Sequence, residues 1–160
     1  MGYALVQVLL VPLVFAPIAY IAGRRIGKQT GWVISMPLIY TLLLLISAAY
    51  SIKDGASIIE NYAWAPVAGL NFGLRADGLS IWMAITVTLL CLLVAVYSIR
   101  YMEHRFHEEG YEASPSDYAV YYTLYILYAV GMLGTVLATN LIEFYLFYEL
   151  MLVPSWALIN

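Results

Sequence analysis

Residues 79–99 read LSIWMAITVTLLCLLVAVYSI, with no Asp, Glu, Lys or Arg among them. A helix of about 20 such residues spans the roughly 30 Å of bilayer hydrocarbon. A helix apolar all round has to be buried in protein or lipid. Working outward, residues 3–22, 32–52 and 119–138 also lack those four residue types, and 141–159 is as apolar apart from Glu143 and Glu149. Transmembrane strands run to about 9–11 residues and alternate in polarity. The reading is therefore an all-α integral membrane protein, a single membrane domain over 1–160 with five transmembrane helices. An outer loop 53–78 and a cytoplasmic loop 100–118 complete it.

Composition excludes the competing classes. Of the 160 residues, 64% are hydrophobic and 11% charged, whereas a soluble domain carries about 25% charged residues to face water. Seven Lys and Arg against ten Asp and Glu leave a net charge of −3, the wrong sign for gripping nucleic-acid phosphates. One Cys, Cys91, rules out an intrachain disulfide framework, a thiolate zinc cage and a Cys₄ cluster. The first span has no basic segment before it and carries its Arg residues after it, so a retained helix is expected rather than a signal peptide. Its Pro12 and Pro17 free backbone groups that neighbouring helices have to satisfy.

Orientation follows from Lys and Arg near the helix ends. Arg24, Arg25, Lys28, Arg100 and Arg105 fall on one side, and Lys53 and Arg75 on the other. The expected topology has the N-terminus outside and the C-terminus inside. Glycines and aromatics in 53–78 allow an extended hairpin on the outer surface, with Trp64 near the headgroups, or an irregular loop.

The residue with chemical potential is Glu149. At 1.5 Å per residue it sits roughly 13 Å into the fifth span, where a charge costs from about 2.5 to well over 10 kcal/mol. No Lys or Arg lies in any span, so Glu149 must be protonated, meet water or pair with a cation from another chain. A neutral acid bonded between helices is the bland alternative. Pro154 has no N–H for the Leu150 carbonyl, which marks either a place for an ordered water or an ordinary packing kink. Glu143 lies about 120° round the helix from Glu149 and is expected to reach the interface; a part in proton transfer is the lesser expectation for it.

His104 and His107 share a charged loop and are read as solvated rather than as metal ligands. Tyr118, Tyr121, Tyr122, Tyr125 and Tyr128 form a helical stripe, read as packing or as hydroxyls along a wet path. Gly131 and Gly134 are expected to permit close helix contact. No nucleophile set, phosphate loop or dinucleotide fingerprint is present in the sequence. No catalytic residue, metal or cofactor is expected, and the chain is not read as an enzyme by itself.

Two stretches carry a family resemblance. Leu74-Arg75-Ala76-Asp77-Gly78-Leu79-Ser80, continuing to Tyr97-Ser98-Ile99-Arg100-Tyr101-Met102, resembles the pattern D-G-L-S … Y-S-x-x-Y-M. Asn140-Leu141-Ile142-Glu143-Phe144-Tyr145-Leu146-Phe147-Tyr148-Glu149, with Pro154-Ser155 following, resembles (D/N)-L-x-x-F-(Y/F)-x-F-(W/Y)-E-x-x-x-x-P-(S/T). Both are marks of the antiporter-like membrane subunits shared by respiratory complex I, membrane-bound hydrogenases and multisubunit cation/proton antiporters.

The resemblance implies that Glu149 is the family's key glutamate, implicated in proton transfer. It implies other membrane subunits of a hetero-oligomeric complex as partners, including an antiporter-like subunit that supplies lysines, together with the lipid bilayer and no nucleic acid. Family members have about fourteen helices, and this sequence matches the first five. The expectation is a short or split subunit of an ion-translocating complex coupled to redox chemistry or antiport, in a prokaryotic cytoplasmic membrane. The alternative is a structural subunit that braces or seals such a complex.

Overall fold

The computed structural model describes residues 4–52, 55–65, 70–108 and 114–159. Among them the elements are α1 (Ala4–Ile26), a short 3-10 turn (Gly27–Gln29), α2 (Thr30–Ser51), β1 (Ile58–Ala65), β2 (Leu70–Ala76), α3 (Ser80–Glu108), α4 (Pro115–Leu137) and α5 (Leu141–Ile159). Four helical runs are long and apolar enough to cross a membrane: Ala4–Ser51, Ser80–Arg105, Pro115–Leu137 and Leu141–Ile159. The first of these holds two helices, because the chain reverses at Gly27, whose φ of 57° lies in the left-handed region. Leu5, Val8 and Leu9 of α1 share a buried cluster with Leu45 and Ala48 of α2, while Ala16 and Ala19 share another with Ile34 and Leu38. That pairing is antiparallel.

Central to the bundle is α4, which packs on α1 and α5 most extensively and touches α3 and α2. Lipid tails are as apolar as the helices, so close packing rather than the hydrophobic effect has to hold the bundle together. Small residues supply that closeness. Gly23 of α1 lies against the backbone of Ala119, with no room for a Cβ. Gly134 faces the Phe147 ring and Gly131 the backbone of Met151, so α5 seats directly on α4. The expected close contact at Gly131 and Gly134 is present. Pro12, Ala16, Ala19 and Gly23 are all buried on α1, so Pro12 faces protein, whereas Pro17 is exposed.

A helix boundary differs from the expected one, and the 53–78 connection takes one of the two forms expected for it. The helix placed at 79–99 continues to Glu108, because charged residues end a span without ending a helix. Lys28 and Glu103 pair at 2.6 Å across this extension, both side chains close to half exposed, a geometry that contributes little stability. The 53–78 connection contains an antiparallel two-stranded hairpin, Ile58 opposite Ala76 and Tyr62 opposite Phe72. The expectation for Trp64 concerns a side chain outside those described.

Each helix start after the hairpin carries its own cap. Asp77 accepts from the N–H groups of Leu79 (3.1 Å) and Ser80 (2.9 Å), while the Asp77 N–H donates to the Ser80 hydroxyl at 2.8 Å. The Asp-Gly-Leu-Ser motif is thus a reciprocal cap for α3. Before α4, the Ser114 N–H donates to Asp117 at 2.9 Å, and Pro115 occupies the first helical position without wasting a donor.

Candidate functional site

Helix α5 presents two chemically different faces. Glu143, Phe147, Leu150, Met151 and Pro154 recur at helical spacing, and these positions are buried or half-buried. They meet α4 and the hairpin: Phe147 lies by Gly134 and, ring to ring at 6.0 Å, by Phe72 of β2. Glu149 stands two residues from Phe147, about 160° round the helix at 100° per residue. It therefore points away from the rest of this chain and is half-buried. One turn earlier, the Tyr145 hydroxyl interacts with its carboxyl group.

Pro154 is buried inside α5, which continues as helix to Ile159. Lacking an N–H, it leaves the Leu150 carbonyl without the usual intrahelical donor. Glu149 and this carbonyl are adjacent in sequence, on a side of α5 where Tyr145, Val153 and Trp156 are exposed.

The interface position expected for Glu143 is corrected by the structure. Its side chain is 1% exposed. It accepts hydrogen bonds from the N–H of Gly73 (2.6 Å), the N–H and hydroxyl of Thr139 (3.2 and 3.3 Å) and the amide of Asn140 (2.7 Å). In return Asn140 caps α5 by accepting the Glu143 N–H at 3.0 Å. The carboxylate stays inside because its donors are there: the hairpin brings an orphan strand N–H to an α5 start that also needs acceptors. Glu143 and Glu149 are not brought together.

A second buried carboxylate escaped the sequence reading. Glu60 of β1 accepts from the N–H groups of Leu5 (3.0 Å) and Val6 (2.9 Å) at the start of α1, and from the Tyr62 hydroxyl at 3.1 Å. The available signal was on α1 itself. Its first turn has no acidic residue, so its orphan donors need an acceptor from elsewhere.

The tyrosine stripe is used for packing. Tyr125 donates to the Cys91 carbonyl of α3 at 2.6 Å and Tyr122 to the Lys28 carbonyl at 3.4 Å. Tyr121 packs edge-on to Tyr122 and stacks on Tyr125. These hydroxyls bond toward the first three helices rather than toward Glu149. Among the described residues, no group of three His, Cys, Asp or Glu side chains is placed to hold a metal ion.

Comparison with known proteins fits this arrangement. A family profile described as NADH-ubiquinone oxidoreductase (complex I), chain 5 N-terminus, matches residues 64–112. The Na(+)/H(+) antiporter subunit A1 of Staphylococcus haemolyticus (strain JCSC1435) is 33% identical over 152 residues, covering 94% of this chain. That of Staphylococcus aureus is 32% identical over 155 residues with the same coverage. The chain resembles the N-terminal part of the antiporter-like membrane subunits. It spans 18% of the length of these two relatives. The antiporter-like resemblance extends to the fold: a chain in the structure of the Mrp complex from Dietzia sp. DQ12-45-1b superposes with a TM-score of 0.78 at 26% identity. That match covers 98% of this chain and 16% of the other.

Proposed function

We propose that this chain forms the first five spans of an antiporter-like subunit in an Mrp- or complex I-like cation/proton antiporter complex of a bacterial cell membrane, N-terminus outside. Within it, Glu149 takes up and releases a proton as ions move. The observation that carries this reading is the placement of Glu149: near the middle of α5, half-buried, and turned away from every helix of its own chain. A carboxyl group at that depth needs a partner, and the matching partner is a helix of another segment or subunit bearing a lysine. Such a cation would favour the ionised form, and its withdrawal would favour the protonated one.

The names of the Staphylococcus relatives and of the Dietzia complex support antiport over redox coupling. Glu149→Gln in the assembled complex tests the role. The amide keeps the shape but cannot release a proton, so cation-driven proton movement in inverted vesicles should fall while the complex still assembles. Normal transport by the variant removes Glu149 from the path.

A bracing role has one specific observation in its favour. The hairpin ties the start of α1 to the start of α5 through Glu60 and Glu143, the contacts of a strut. Bracing and conduction divide between different carboxylates, so the two roles are compatible within one chain.

A further inference from the structure

Among the described residues, the outward faces of α2 and α3 and of α5 are exposed, and their chemistry differs. On α2 the outward stripe begins at Trp32 (58% exposed) and ends at Tyr50 (65%), and on α3 the corresponding stripe runs from Trp82 (64%) to Tyr97 (66%). The helices are antiparallel neighbours, so these aromatics form two level rows. Gly31, beside Trp32, lies against Ile99, close to Tyr97. Ala48 and Ile52, flanking Tyr50, share a buried cluster with Ile81, beside Trp82. At 1.5 Å per residue the rows are about 27 Å apart along α2 and about 22 Å along α3. Tryptophan and tyrosine settle at the headgroup level on both sides of a hydrocarbon core about 30 Å thick.

Between the rows the face is largely apolar, and two of its hydroxyls bond within the protein. Thr86 donates to the Trp82 carbonyl at 2.9 Å and Tyr40 to the Gln7 side chain at 2.9 Å. Lipid imposes that condition, since it offers no hydrogen bonds. The outward side of α5 breaks the same rule at Glu149.

We propose that the joint outward face of α2 and α3 is a lipid-facing surface in the assembled complex, occupied by phospholipid acyl chains between two aromatic rows set among the headgroups. The proposal rests on the two aromatic rows and the apolar stretch between them, and stands apart from any role of Glu149.

A photoreactive benzoylphenylalanine in place of Leu43 or of Leu90, both on this face at mid-depth, tests it in the intact complex. Irradiation of native membranes should leave the chain heavier by one phospholipid as the main product at both positions. The same replacement at Val153 of α5 serves as the contrast and should give adducts with polypeptide. Polypeptide adducts from both Leu43 and Leu90 would overturn the proposal. So would the lack of a lipid adduct at both, or failure of both variants to assemble, because a lipid-facing position accepts a bulky apolar side chain.

Discussion

The backbone N–H of Gly73 donates to the carboxylate of Glu143 at 2.6 Å, joining the second hairpin strand to the first turn of α5 across 70 residues of sequence. An antiparallel bridge between Leu74 and Ala138 flanks this bond. The loop after α2 and the loop after α4 are thereby locked to each other.

Replacing Glu143 with Ala would leave the buried Gly73 N–H without its acceptor and take one partner each from Thr139 and Asn140. Unmade bonds of this kind cost about 1–3 kcal/mol each when the donor is buried. Glu143→Ala should therefore lower the thermal midpoint of the purified complex clearly, while Glu143→Gln, which keeps one acceptor oxygen, should lower it less. Equal midpoints for all three proteins would show that the lock holds nothing.

Glu60 does for α1 what Glu143 does for α5. Glu60→Ala removes the acceptor for Leu5 and Val6, a loss comparable to deleting a helix cap, about 1 kcal/mol. The effect should be local: hydrogen exchange at Leu5 and Val6 should accelerate while α4, at the centre of the bundle, stays protected. Unchanged exchange at both amides would contradict the capping role.

These two carboxylates show where sequence reading stops. The long apolar helices were legible because a run of uncharged residues has few uses outside a bilayer, and Glu149 drew notice because a carboxyl inside such a run is conspicuous on any hydropathy count. The burial of Glu60 and Glu143 was not, since the Leu5 and Gly73 N–H groups they accept from lie 55 and 70 residues away and only folding brings them near. The same holds for α3. Its span is limited by Arg100, but its helix is limited by backbone bonding and reaches Glu108.

Asp77 gives a pH-dependent test outside the membrane. The Ser80 N–H, the Ser80 hydroxyl and the Leu79 N–H hold its carboxyl below the ordinary value of 3.8, helped by Arg75 and opposed by slight burial. A depressed folded value means the contribution is complete above the unfolded value and fades as pH falls through the folded one. Asp77→Ala should thus cost about 1 kcal/mol at neutral pH, and the gap to wild type should narrow below about pH 4. A gap that does not change with pH would rule out the ionised cap.

Orientation can be read directly. The five-to-two excess of Lys and Arg predicts that the α1–α2 turn is cytoplasmic. In sealed right-side-out vesicles, an impermeant thiol reagent should label Ser57→Cys and spare Gly27→Cys. Labelling of Gly27→Cys alone would invert the topology.

The two glutamates of α5 should separate by phenotype, because they face opposite environments. Glu149 looks outward, with the Tyr145 hydroxyl of its own helix beside it. Glu143 is enclosed by Gly73, Thr139 and Asn140. Removing a positioned proton carrier costs a hundredfold or so in systems that depend on one, whereas loosening a helix start costs stability and leaves the carrier in place. Glu149→Gln should accordingly reduce cation-driven proton movement per assembled complex by at least about tenfold and leave the thermal midpoint unchanged. Glu143→Gln should show the reverse, a lower midpoint with near-normal transport per assembled complex. If Glu143→Gln abolishes transport while Glu149→Gln spares it, the proton path runs through the hairpin lock and the assignment of the two residues is reversed.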